Sequence, residues 1–229
     1  MKRVEVSSTQ AELLVRFAGV VGNALRSAVE DRGRAALALS RGGRAFHALA
    51  EQHVAWSKVD VFQVDERAAP SGSEDRNLTA IERDLVERIA GPPPRIHAMP
   101  VDDDLDLGAR AYAAGLEATC GRPPVLDVVH LGLGVDGHTA SLLPGDDALE
   151  AAEPVAITGT YEGHRRMTLT LPVIGRARLV VFLVTGESKA GVLRRVVEGN
   201  GDLPARRVNG DDVVFLADSS AATQLKSAL

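Results

Sequence analysis

The chain reads as an α/β protein with a mainly parallel sheet flanked by helices, a Rossmann-like arrangement. Three observations predict it. The strand candidates are continuous apolar runs instead of polar/apolar alternations, as strands buried on both faces require. Segments with apolar residues at helical spacing separate those runs. Glycines and polar clusters follow several runs directly, at the strand ends where ligands bind in open α/β sheets.

Met1 to Val6 reads as a short strand. It lacks the charged region and roughly 7–15-residue apolar stretch of a secretory signal, so none is expected. Ser8 or Thr9 can cap the helix predicted from Ala11 to about Glu30, where Leu13, Leu14, Phe17, Val21, Leu25 and Val29 share a face. Ala35 to Leu39 is a short apolar run ending in Ser40-Arg41-Gly42-Gly43-Arg44, and Ala45 to about Gln52 suits a helix. Lys58 to Val64 is a second run, and it delivers Asp65-Glu66-Arg67 at its end.

A polar loop from Pro70 to Asn77 follows, and helical spacing resumes through Leu78, Ile81, Leu85 and Ile89. Gly91-Pro92-Pro93-Pro94 stops it. Leu107 to Cys120 is helical, and Val125 to Leu131 is a buried strand that runs into a glycine-rich turn through His138. Met167 to Leu171, Leu179 to Thr185 and Val213 to Leu216 are further strands, with a helix over Glu187 to Glu198.

At 229 residues the chain can bury a substantial core unaided, and a single domain over 1–229 is expected. A net charge of −5 argues against nucleic-acid or anionic-membrane partners, which need clustered Lys and Arg. No run approaches the roughly 20 apolar residues of a membrane span. Cys120 is the only cysteine, so neither an intrachain disulfide nor a Cys-held zinc is possible, which suits a reducing cytoplasm. His47 and His53 fall in a predicted helix, His97 and His130 in strands and His164 in a polar segment. None has metal-ligand spacing, and no metal or cofactor is expected. Oligomeric state stays open between a monomer and a small homo-oligomer.

Gly132-Leu133-Gly134-Val135-Asp136-Gly137 formally fits the dinucleotide pattern G-x-G-x-x-G. Its context argues against that use, because Pro144-Gly145-Asp146-Asp147 interrupts the chain where the pattern needs a helix. Extended through His138-Thr139-Ala140-Ser141-Leu142-Leu143-Pro144-Gly145, the segment resembles the signature of the 6-phosphogluconolactonases, relatives of the glucosamine-6-phosphate deaminases. Three further segments agree in order: Val64-Asp65-Glu66-Arg67 with Asn77, Arg166 to Pro172, and Phe182 to Lys189. Leu203-Pro204-Ala205-Arg206 also has a counterpart.

The resemblance spans nearly the whole chain. It implies the α/β fold shared by the deaminases, ribose-5-phosphate isomerases and CoA transferases. It also implies hydrolysis of 6-phospho-D-glucono-1,5-lactone to 6-phospho-D-gluconate in the pentose phosphate pathway, on a small sugar-phosphate substrate.

The residues make chemical sense of that activity. Water attacking an ester at neutral pH must lose a proton, and imidazole, with an ordinary pKa of about 6.5, suits the acceptor role. His138 sits in a glycine-flanked turn, and Asp136 is close enough in sequence to orient its ring. A substrate phosphate needs fixed donors, among which guanidinium offers two parallel hydrogen bonds. The resemblance points to Arg67, Arg166 and Lys189, with Ser40, Gly42, Gly43 and Arg44 forming a phosphate loop.

Asp65 and Glu66 are adjacent on a strand, so only one can readily face a crevice, and the other is structural. Asp65 then positions Arg67 or a sugar hydroxyl, and Asn77 contacts the same loop. The Ser40–Arg44 loop departs from the family's usual Ser-Gly-Gly-Ser-Thr-Pro, with no proline and an offset pair of glycines. Two alternatives compete with the lactonase reading. A deaminase-isomerase resembles this signature but carries a glutamate where Leu143 stands. A non-catalytic sugar-phosphate sensor would keep the pocket without needing His138 and usually carries an added helix-turn-helix, of which the sequence gives no sign.

Overall fold

The computed structural model describes residues 2–225. A strand β1 (Lys2–Ser7) leads into helix α1 (Gln10–Arg32). Thr9 caps that helix by accepting the Glu12 N–H at 3.2 Å, while Glu12 Oε2 reaches back to the Ser8 N–H. Gly33, at φ 76°, ends it in the left-handed conformation that glycine adopts without strain. Next come β2 (Ala35–Leu39), α2 (Arg44–Ala50), β3 (Val59–Gln63), β4 (Asp65–Arg67), α3 (Asn77–Asp84), β5 (Arg95–His97) and α4 (Leu105–Cys120). The second half holds β6 (Val128–Leu131), β7 (Val155–Ile157), β8 (Arg166–Leu169), α5 (Leu171–Gly175), β9 (Leu179–Val184), α6 (Ala190–Glu198), α7 (Pro204–Arg207) and β10 (Val213–Asp218).

Seven strands form one parallel sheet in the order β1-β10-β9-β6-β2-β3-β5. Both faces are covered, which is why its strands carry no polar alternation. In β2, Ala35, Leu37 and Leu39 meet Phe17, Leu25 and Phe46 of α1 and α2, whereas Ala36 and Ala38 join the opposite core with Leu116 of α4 and Leu193 of α6. Phe182 and Phe215, register partners on β9 and β10, stack at 4.4 Å between ring centroids in that second core. Emptying such a site by a Phe→Ala change costs about 3–5 kcal/mol.

Several boundaries differ from the sequence expectation. The strand read over Lys58–Val64 does not continue through Asp65–Arg67. Asp65–Arg67 instead forms its own strand, the edge of a second, antiparallel sheet ordered β4-β8-β7. The strand read over Met167–Leu171 ends at Leu169, since Leu171 already opens α5, and it belongs to that small sheet and not to the large one. β7 is too short to register as an apolar run. The helix expected through Ile89 breaks at Leu85 into a separate turn over Val86–Arg88, and the one expected over 187–198 opens as a 3-10 turn, Glu187–Lys189. His53 lies beyond the end of α2 instead of within it. No helix among the described residues is long and apolar enough to cross a membrane.

Strand order reverses between β2 and β6: β3 and β5 lie on one side of that boundary, β9, β10 and β1 on the other. The chains leaving β2 and β6 therefore diverge and open a crevice at their C-terminal ends. The loops that follow these two strands are Ser40–Gly43 and Gly132–His138.

Candidate active site

A cleft of about 330 Å³ occupies that crevice. Ser40 and Arg41 from the loop after β2 line it, with Asp65 and Arg67 of β4, Asn77 of α3, and Gly132 to Val135 and His138 of the loop after β6. Ala140, Tyr161, Glu162, Arg166 and Lys189 complete the wall. Residues more than a hundred positions apart thus meet where the topology leaves a gap.

The loop after β6 is built around one hydrogen-bonded pair. His138 Nδ1 lies 2.6 Å from Asp136 Oδ1, and the same oxygen accepts the His138 backbone N–H at 3.1 Å. Gly134 makes the pair possible, because a Cβ there would overlap both the imidazole and the Asp136 carboxylate. The Gly134 N–H donates to His138 O at 2.8 Å, and Gly137, at φ 90°, donates to Gly134 O. These glycines close a tight turn; no helix begins in it, unlike the dinucleotide pattern its spelling imitates.

The His138 side chain is 23 % exposed, neither free on the surface nor sealed in the core. Burial raises the Asp136 carboxyl, but hydrogen bonds and charge from His138 outweigh that and hold it below the usual carboxylate range. An ionised Asp136 accepting Nδ1–H leaves Nε2 as the ring's lone-pair nitrogen.

Asp65 and Glu66 divide their roles as the strand geometry requires. Asp65 faces the cleft and joins three segments: Ser141 Oγ donates to Oδ2 at 2.7 Å, while Asn77 Nδ2 and Ser40 Oγ reach Oδ1 at 3.2 and 3.4 Å. Its hydrogen bonds go to these groups and not to Arg67. Glu66 is fully buried and accepts from Gln63 Nε2 and from the backbone N–H groups of Arg67, Asn77 and Leu78. It pins β4 to the start of α3 and has no lone pair to spare for a ligand.

The arginines of the cleft use part of their donor capacity on protein acceptors. Arg67 Nη1 donates to Asp75 O at 2.8 Å and Arg41 Nη2 to Glu74 O at 2.8 Å. Arg166 Nη2 donates to Glu162 Oε2 at 2.9 Å, and its guanidinium lies 4.8 Å from the centroid of the Tyr161 ring. The Nε atoms of Arg67 and Arg166 and the Oδ1 of Asn77 are buried without a partner. Burial lowers the Lys189 ammonium from its ordinary range, partly offset by the Asp136 carboxylate nearby.

Three expected loop residues stand elsewhere. Arg44 points away from the cleft and donates to Gln10 Oε1 at 3.0 Å. Gly43 serves as the turn before α2 at φ 48°, and Gly42 packs under Phe46, whose ring a Cβ there would overlap. Sequence reasoning passed over Tyr161 and Glu162. Gly163, ahead of the Met167 run, was the available signal of a tight turn, because glycine tolerates the positive φ such turns need. Among the described residues no three His, Cys, Asp or Glu side chains are grouped to hold a metal ion.

Comparison with known proteins follows the same lines. The family model described as glucosamine-6-phosphate isomerases/6-phosphogluconolactonase matches residues 8–216. The 6-phosphogluconolactonase of Mycobacterium tuberculosis is 36% identical, with 95% of this chain and 96% of that protein covered. That of Nostoc sp. is 33% identical, with 98% of each covered. Among solved structures, the 6-phosphogluconolactonase from Trypanosoma cruzi superimposes with a TM-score of 0.86 at 25% identity, over 99% of this chain and 97% of that one.

Proposed function

The chain belongs to the family of glucosamine-6-phosphate isomerases and 6-phosphogluconolactonases, and from that premise we propose that it hydrolyses 6-phospho-D-glucono-1,5-lactone to 6-phospho-D-gluconate. The observation that carries the reading is the His138–Asp136 pair, 2.6 Å apart, in a cleft that also presents Arg67, Arg166 and Lys189.

In the proposed mechanism, Asp136 keeps the imidazole in the tautomer that leaves Nε2 unprotonated. A water molecule gives a proton to Nε2 as its oxygen bonds to the lactone carbonyl carbon. The carbonyl oxygen takes the negative charge, and collapse of that adduct breaks the bond to the ring oxygen. His138 returns the proton to the departing ring oxygen, which becomes a hydroxyl. A base placed this way supplies about 10²–10⁴-fold.

The far end of the substrate carries a dianion, which Arg67 and Arg166 grip through donors not already committed to the protein and Lys189 supports by charge. Asp65 and Asn77 receive sugar hydroxyls, with Ser40 beside them. Gly42, Gly43 and Arg44 are left out of this contact set, because they do not line the cleft. The enzyme acts as a single domain over 1–229, in the cytoplasm, as a monomer or small homo-oligomer, and requires no metal.

Half-buried Leu143 stands where the deaminase signature carries a glutamate, so the carboxylate for amino-sugar ring opening is missing. Glucosamine 6-phosphate should therefore release no ammonia. The direct test is the rate of acid formation from freshly made phosphorylated lactone, with and without the purified chain. A rate no greater than spontaneous opening overturns the proposal.

A further inference from the structure

Only two non-glycine residues among those described adopt a positive φ: Ala140 at 52° and Glu162 at 50°. Both line the cleft. Glu162 occupies a two-residue turn with Gly163, at φ 82°, closed by hydrogen bonds in both directions between Tyr161 and His164. Such a turn, with positive φ at both central positions, favours Asn-Gly. A glutamate there holds a conformation that asparagine or glycine would adopt with less strain.

What the glutamate does there is visible in its contact. Glu162 Oε2 accepts from Arg166 Nη2 at 2.9 Å. The Arg166 side chain is only 4% exposed, so its charge is largely removed from water and needs a matching anion. Glu162, 64% exposed, supplies that anion at the tip of a short hairpin and can swing into solvent at little cost. Arg166 Nε remains buried without a partner, so the carboxylate satisfies this guanidinium only in part.

We propose that Glu162 is a built-in competitor for the anion seat at Arg166, holding that guanidinium through its carboxylate and opposing the entry of a phosphorylated ligand. The inference rests on the reading of Arg166 as a phosphate contact. A phosphate that takes both donor edges of Arg166 must displace the carboxylate or lie against it, and two anions at one guanidinium repel. Glu162 thereby weakens the cleft for every phosphorylated sugar while leaving unphosphorylated ones untouched.

Calorimetric titration of inorganic phosphate, 6-phosphogluconate and gluconate into the wild type, Glu162→Gln and Glu162→Asn tests this. The asparagine variant suits the positive φ and guards against a folding defect. Removing the carboxylate should tighten phosphate and 6-phosphogluconate by about two- to fivefold, the range for an exposed ion pair, and leave gluconate unchanged. Unchanged or weaker phosphate binding in both variants overturns the inference, as does equal tightening of gluconate. Arg166→Met separates the two layers. If it leaves phosphate affinity at the wild-type value, the reading of Arg166 itself fails. If it weakens phosphate while the Glu162 variants do not tighten it, only the competitor role fails.

Discussion

Arg67 and Arg166 are Cα partners across the antiparallel pairing of β4 and β8, and each keeps a buried Nε without a hydrogen-bond partner. Directly opposed side chains lie on one face of a sheet, where like charges repel. An anion shared between the two guanidiniums relieves both faults at once.

Arg67→Met should therefore weaken 6-phosphogluconate binding by about tenfold to a hundredfold, which corresponds to the roughly 1.5–3 kcal/mol of a hydrogen bond to a charged group. The ligand-free variant should melt close to the wild type, since relief from a like-charge neighbour offsets loss of the exposed hydrogen bond to Asp75 O. Calorimetric titration and thermal unfolding without phosphate measure the two halves. Wild-type affinity in the variant removes Arg67 from the site.

Gly134 is the least conspicuous part of the turn proposed to be catalytic and the most exposed to test. A Cβ there overlaps the His138 ring and the Asp136 carboxylate. Gly134→Ala should lower kcat by at least about tenfold, the smaller end of what a positioned base supplies. Its circular dichroism should stay that of the wild type. Unimpaired turnover would mean the pair has room to shift without consequence.

Asp136→Asn probes the tautomer. An amide can turn its N–H toward Nδ1 and leave the proton on Nε2, the nitrogen that accepts it from water in the proposed mechanism. The expected result is a kcat reduced at least about tenfold with affinity for 6-phosphogluconate kept within about twofold, because no phosphate contact changes. Loss of affinity with undiminished kcat would assign Asp136 to binding instead.

How much of this was legible in the sequence follows from what local patterns encode. The parallel sheet was readable because doubly buried strands leave apolar runs such as Leu179–Val184, and α1 because its apolar residues keep one face from Leu13 to Leu25. β7 was not, since its three residues carry no period, nor was the break that makes Asp65–Arg67 a strand of its own, because the small sheet exists only through tertiary pairing with β8. Likewise the resemblance singled out His138, Arg67, Arg166 and Lys189, which line one cleft, and Asp136 stands next to them through its hydrogen bond to His138. The loop after β2 misled, because adjacency to Ser40 does not say that Arg44 turns toward Gln10. The division between Asp65 and Glu66 needed the partners themselves: one carboxylate joins the cleft segments, the other caps backbone N–H groups.

His130 gives the fold a pH dependence separate from catalysis. It lies buried on β6 between the Phe17 and Phe46 rings, and burial pushes its imidazole down to about 4 from 6.5. Above pH 6.5 both states are neutral and the group has no effect. Between 6.5 and 4 the unfolded chain takes up a proton that the folded one refuses, so stability falls with pH by up to about 3 kcal/mol. Urea unfolding at pH 7 and pH 5 should show a loss about 2 kcal/mol larger in the wild type than in His130→Leu. Equal losses would place the acid sensitivity elsewhere.

The central claim is that the His138 imidazole takes the proton from the attacking water. Measuring hydrolysis of 6-phospho-D-glucono-1,5-lactone by His138→Ala beside the wild type, each corrected for spontaneous opening, tests it most directly. The account predicts a rate at least about tenfold lower, with 6-phosphogluconate still bound by the variant. Wild-type turnover without that imidazole would contradict it.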